Sequence, residues 1–231
     1  GHLFVGSYLS LAVLTFIPVI FLSFYKPKAE PARIKEYKGR SYLELIAQPR
    51  FLQAVASAAF AYAVMSFLMT ATPINMHILE NYSLNKTGIV IQLHIVSMFL
   101  PSLITGNLLQ KFGHSKIIYA GVSFYVLTII LSFLEPSFFN YLFSLVFLGI
   151  GWNFLYLSGT GLLVLSYREK EKFKAQGFND ILVFSIQALA SLSAGYMLSM
   201  TSWKTMNLIA IPFLFLIVLT SIKADISKDN K

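Results

Sequence analysis

The chain has 231 residues, 56% of them hydrophobic and 12% charged, with a formal net charge of +8. A soluble domain carries roughly 25% charged residues, so this composition lacks the material for a water-facing surface and makes the bilayer the expected solvent. The absence of Cys excludes disulfide frameworks, thiolate metal sites and Cys nucleophiles.

A helix needs about 20 apolar residues to cross a hydrocarbon core of about 30 Å. Seven stretches have that character, at 3–25, 51–75, 88–109, 117–134, 138–165, 177–200 and 205–222. The expected fold is an all-α integral membrane protein with seven transmembrane helices. Of the 28 charged residues, 27 fall outside these stretches and Asp180 is the exception. The first stretch has no basic start and is too long for the apolar core of a secretory signal. Because Gly1 stands almost at its edge, the chain is expected to be a fragment or a processed product.

Lys and Arg divide 16 to 2 between alternate loops. The rich set comprises the linker 26–50, the turn 111–116, the loop 168–174 and the tail from 223; the poor set holds only Lys86 and Lys204. Basic loops stay in the cytoplasm, so the chain is expected to start outside and to end with a cytoplasmic C-terminus. The basic excess then reports topology, and no nucleic-acid partner is expected. The domain reading is 1–25 as the last helix of a preceding unit and 26–50 as a basic cytoplasmic linker containing Pro27, Pro31 and Gly39. A six-helix unit (51–222) and a tail (223–231) follow. The six spans divide into two sets of three, and an odd number per set inverts the second against the first, as in many secondary transporters.

The turn after the third span reads Gly106-Asn107-Leu108-Leu109-Gln110-Lys111-Phe112-Gly113-His114-Ser115-Lys116. It resembles the short cytoplasmic loop signature of the major facilitator superfamily (MFS): Gly106, Lys111, Gly113 and Lys116 match, whereas Gln110 stands where the family usually has Asp. The stretches 149–153 and 174–180 are also similar to bacterial members. The resemblance covers the whole chain as the last helix of a first half, the central linker and the six helices of the C-terminal half, an MFS-like half-bundle of two inverted three-helix repeats. It implies a secondary transporter of a small organic solute by alternating access, coupled to H+ or Na+, in the plasma (bacterial inner) membrane. The implied partners are the lipid bilayer and an N-terminal half of the same protein; no cofactor and no enzymatic activity are implied. Gly106, Lys111 and Gly113 would then belong to the moving cytoplasmic side. In the family, the third helix of each triplet supports the others from the lipid side.

Polar side chains within the spans cost free energy in hydrocarbon and mark candidate solute or ion paths. They concentrate in the third, fifth and sixth spans. His94, Ser97, Pro101 and Thr105 share one helical face, with Pro101 as a hinge. His94 reads as a solute contact or proton carrier, or as a His packed against a neighbouring helix, about 9 Å deep. Asn153 and Tyr156, in a span eased by Gly149, Gly151, Gly159 and Gly161, read as solute contacts, with packing as the alternative. Gln187 shares a face with Asp180 and Ser191 and reads as a lining residue. Asp180 lies roughly 5 Å into its helix; the resemblance implies a gate residue that pairs with the basic loop of the first half, with a helix cap as the next reading and a proton relay as the last. An intramembrane enzyme is the rival of another class, disfavoured because His94 and Asp180 would be separated by roughly 16 Å. An inactive half-transporter or a membrane interaction module is the remaining alternative. No metal site is expected, and no modification is assigned to the outer-loop residues Asn81 and Asn85.

Overall fold

The computed structural model describes residues 5–26 and 39–229 and contains two units, one up to Lys38 and one from Gly39. The first unit holds helix α1 (Val5–Ser23). Three of its hydroxyls are satisfied within the helix: Ser10 donates to Gly6 O at 2.8 Å, Thr15 to Ala12 O at 2.8 Å and Ser23 to Ile20 O at 2.7 Å. Back-bonding of this kind removes the cost of a bare hydroxyl in lipid.

The second unit begins with the short helix α2 (Tyr42–Ile46), started by a capping box in which Ser41 and Glu44 exchange hydrogen bonds. The Ser41 backbone N–H, with help from its hydroxyl, holds the Glu44 carboxyl below the usual carboxylate range. Helix α3 (Pro49–Pro73) opens on a Pro at its first position and continues as a π-helical turn, Ile74–Leu79. Then come α4 (Leu84–Phe99), α5 (Ser102–Phe112), α6 (His114–Ser132) and α7 (Phe138–Val164). A 3₁₀ turn (Glu169–Glu171) leads into α8 (Lys172–Met200), followed by α9 (Trp203–Ile209) and α10 (Ile211–Asp229).

Among the described residues all regular structure is helical, and seven helical segments are long and apolar enough to cross a membrane. The all-α, seven-span expectation therefore holds. The boundaries differ from the apolar runs in an informative way. The third span is two helices, α4 and α5, parted at Leu100 and Pro101. Helix α8 starts at Lys172, which puts Asp180 about 12 Å along its helix, well beyond the first turn where a helix terminus stabilises a carboxylate. His94 likewise lies about 15 Å from the start of α4.

The helix ends sort into two groups. At the basic end Arg50 of α3 pairs with Asp225 of α10 at 3.4 Å, and Ser115 of α6 donates to the same carboxylate at 2.7 Å. Gln53 completes this knot by donating to Ser115 Oγ at 3.0 Å. At the opposite end Asn75 donates to Tyr141 of α7 at 2.6 Å, and the Tyr141 ring meets Tyr82 and Trp203. Helices α3, α6 and α8 therefore leave the basic end, while α4–α5, α7 and α9–α10 return to it. The second set of three starts at the opposite end from the first.

Helix α7 is the axis of this bundle because its glycines let three neighbours approach it. A methyl group at Gly149 would fall onto Ser97 Oγ and within 2.8 Å of His94 O in α4. At Gly151 it would meet Tyr125 and, at 3.0 Å, Gly121 O in α6; at Gly159 it would meet Ala54 O in α3 at 2.8 Å. In lipid, where no hydrophobic effect drives helices together, such close van der Waals approach holds a bundle.

The second part of the linker is packed against this unit. Arg40 grips Glu171, whose side chain is fully buried, with Nη2 at 2.6 Å from Oε2 and Nε at 3.0 Å from Oε1. Hydrogen bonding to that carboxylate raises the Arg40 pKa above its ordinary value. Lys174 donates to Arg40 O at 2.7 Å and lies over the Tyr42 ring.

Candidate functional site

Five rings from four helices form one group. Trp152 and Tyr156, one turn apart on α7, stack nearly parallel at 5.0 Å and 11°. Tyr62 of α3 stands edge-on to both, at 5.2 Å and 88° to Trp152 and 5.1 Å and 84° to Tyr156. Phe99, the last residue of α4, meets Trp152 at 6.0 Å, and Phe184 of α8 meets Tyr62 at 6.1 Å. Offset stacking and edge-to-face contact are the favoured arrangements of aromatic quadrupoles. Phe99 and Phe184 are 60% and 52% exposed, whereas Trp152 is 4% exposed, so the group runs from the interior to an open face.

One polar atom in this group is conspicuous. Trp152 Nε1 is buried and has no hydrogen-bond partner. A buried donor without a partner costs free energy. Helix α8 lines the open side with Asp180, Phe184, Gln187 and Ser191 on one stripe. Asp180 is exposed and accepts from Asn179 Nδ2 at 3.1 Å; Gln187 is half-buried; Ser191 Oγ lies 3.1 Å from Thr70 Oγ1 of α3.

The residues singled out in the sequence separate into two sets. Tyr156 lies within the ring group and Gln187 follows Phe184 by one turn. His94 and Asn153 lie in the contact between α4–α5 and α7. His94 is fully buried, with Nδ1 2.7 Å from Leu145 O and Nε2 without a partner. Because a carbonyl only accepts, the hydrogen sits on Nδ1, and in the neutral ring Nε2 carries the lone pair. Asn153 is 1% exposed and has all its polar atoms engaged: Nδ2 donates to Met98 O and to Ser102 Oγ, each at 2.7 Å, and Oδ1 lies 2.7 Å from Thr105 Oγ1.

The turn between α5 and α6 bends at Gly113, with φ +81° and ψ 161°, a conformation open essentially to Gly alone. Gly106 and Lys111 are exposed on α5, and the Lys111 ammonium lies 5.2 Å from the Phe112 ring centroid. Among the described residues no group of three or more His, Asp or Glu could hold a metal ion.

Tyr62, Phe99 and Phe184 were not singled out in the sequence, where aromatic residues are too frequent to stand out. The available signal was Tyr62 itself, a phenol within the Ala-rich run 54–63.

Comparison with known proteins agrees with this architecture. Residues 54–228 match the family described as Major Facilitator Superfamily. The chain is 36% identical over 219 residues to the riboflavin transporter RfnT of Brucella anthropi, covering 94% of this chain and 54% of that protein. It is 32% identical over 151 residues to the uncharacterised MFS-type transporter YddS of Bacillus subtilis, and 34% identical over 148 residues to YdeG of the same organism. Each of those matches covers 34% of the Bacillus protein, so the chain spans about half, or less, of the curated relatives it matches.

Proposed function

The chain belongs to the Major Facilitator Superfamily, and on that premise we propose that it forms the C-terminal half, with one preceding span and the linker, of a transporter that moves a small organic solute by alternating access. We assign the solute to planar heteroaromatic compounds of the riboflavin type. The observation that carries this reading is the ring group: the stacked Trp152 and Tyr156, with Tyr62 edge-on to both. Stacking a flat ring on aromatic side chains contributes roughly 1–3 kcal/mol per ring and tolerates either face, as a carrier that binds and releases requires. All five rings come from α3, α4, α7 and α8, and none from the supporting helices α6 and α10.

In this reading the half-buried Tyr62 and Tyr156 hold the ring, Trp152 backs Tyr156 from the interior, and Gln187 contacts the polar substituents of the solute. His94, with a bare Nε2 inside the bundle, is the candidate for H+ coupling over Na+. Pro101, Gly106, Lys111, Gly113 and Asp180 form the moving side of the gate. The 16 to 2 division of Lys and Arg supports a cytoplasmic basic end and C-terminus, in a bacterial plasma membrane.

The test is riboflavin binding and uptake by the full-length protein in proteoliposomes. Tyr62→Ala and Tyr156→Ala are expected each to weaken binding at least about tenfold, equivalent to one lost stacking contact. Absence of flavin binding by the unaltered protein removes the solute class, and unchanged affinity in both variants removes the site.

A further inference from the structure

Where α4 meets α5, the backbone ladder changes register. The bonds that cross the break are Leu100 N–H to Val96 O, Leu103 N–H to Leu100 O, and Ile104 and Thr105 N–H to Pro101 O. Pro101 has no N–H to give Ser97 O, and Met98 O receives no backbone donor from the next turn. Asn153 of α7 fills that place: its Nδ2 donates to Met98 O and to Ser102 Oγ, one partner on each side of the break. Its Oδ1 faces Thr105 Oγ1. Thr105 also lies 2.8 Å from Pro101 O, but its single hydrogen serves one acceptor at a time, and Pro101 O already takes two N–H groups. The amide orientation is fixed chemically, since the opposite orientation would set Oδ1 against Met98 O, two acceptors face to face.

The neighbouring positions carry this clasp to the ring group. Phe99 follows Met98 and ends α4; Trp152 precedes Asn153 on α7; and the two rings meet at 6.0 Å. Gly149, one turn earlier on α7, permits the close approach of α4 that the clasp requires.

We infer that Asn153 is a positioning residue: by replacing the missing backbone donor at the Pro101 break from a neighbouring helix, it sets the bend of the third span and so the place where Phe99 closes on Trp152. This rests on the transport reading for its effect on solute, but its effect on the bend does not. Asn153 touches no solute. It fixes one wall of the site and ties that wall to the helix that moves if the break opens.

The experiment uses the full-length protein with a single Cys reporter at Leu103, which is 78% exposed just beyond the break, in a background otherwise free of Cys. Asn153→Ala removes the clasp, and Asn153→Asp keeps the shape but loses both donors. Each is expected to change the labelling rate of Leu103→Cys at least about fivefold, because two to three hydrogen bonds that hold the break are lost. Thr105→Val, which removes one contact and is well tolerated in bulk, is expected to give a smaller change in the same direction. If flavin binding is present, Phe99→Ala and Asn153→Ala are expected to be non-additive, with little further loss of affinity when combined. Unchanged labelling in all three variants overturns the inference, whether or not flavin binds. Additive losses overturn the link to Phe99. Absence of flavin binding with altered labelling leaves the clasp standing and sinks only the solute class.

Discussion

Arg40 grips Glu171 across 131 positions of sequence, with two guanidinium nitrogens on one carboxylate and its own backbone N–H on Oε1 at 2.9 Å. Glu171 also accepts from the Arg168 N–H at 3.0 Å, so one carboxylate joins the linker to the turn before α8. Gly39 fits because a methyl group there would come within 2.9 Å of the Glu171 side chain. Charge-assisted, two-pronged pairs are the strong ones, and Glu171→Ala is expected to cost about 2 kcal/mol. The measurement is a lowered melting temperature in detergent together with faster trypsin cleavage after Arg40. Cleavage at the unaltered rate would mean that the pair does not hold the linker.

Gly113→Ala is expected to destabilise the turn between α5 and α6 by about 1–3 kcal/mol, since φ +81° with ψ 161° is strained for any side chain. Open space surrounds the position, so the cost is conformational and not steric. Gly106→Ala, also in open space but inside a helix, is expected to be neutral or slightly stabilising. Folded yield by size-exclusion chromatography compares the two, and equal yields would contradict the argument.

Gly149→Val is expected to reduce folded yield sharply, by overpacking worth about 1–3 kcal/mol or more, because α4 backbone lies where the side chain would go. Gly177→Val serves as the control, with nothing within 4 Å of its missing methyl group. Similar yields from the two would show that α4 and α7 can part at little cost.

Asp180→Asn is expected to shift the balance of inward and outward states without loss of abundance, read as the labelling of single Cys reporters from each side of the membrane. An unchanged balance would remove Asp180 from the gate.

The spans were legible because lipid imposes a length and a composition that few other environments do. Their directions were legible because Lys and Arg mark one side, and the knot of Arg50, Ser115 and Asp225 gathers helix ends that the charge count assigns together. The ring group was legible only in part. Tyr156 stood out in a span eased by glycines, but its partner Tyr62 lies about 90 positions away, and nothing local marks which of many rings will meet. Asn153 and Pro101 were both noticed, each by itself. Their connection runs through the Met98 carbonyl, a backbone atom whose availability depends on the register of the helix. Asp180 was placed too near a helix end because α8 begins in charged residues that hydropathy assigns to a loop.

Helix α7 has little room for revision: its glycines are pressed by three neighbours, and its Asn and Trp are enclosed. Opposite it, α8 presents Asp180 and Phe184 as exposed residues and Gln187 as a half-buried one on a single stripe. Variation compatible with this packing is therefore concentrated on the exposed stripe of α8 and shut out of the glycine-lined faces of α7.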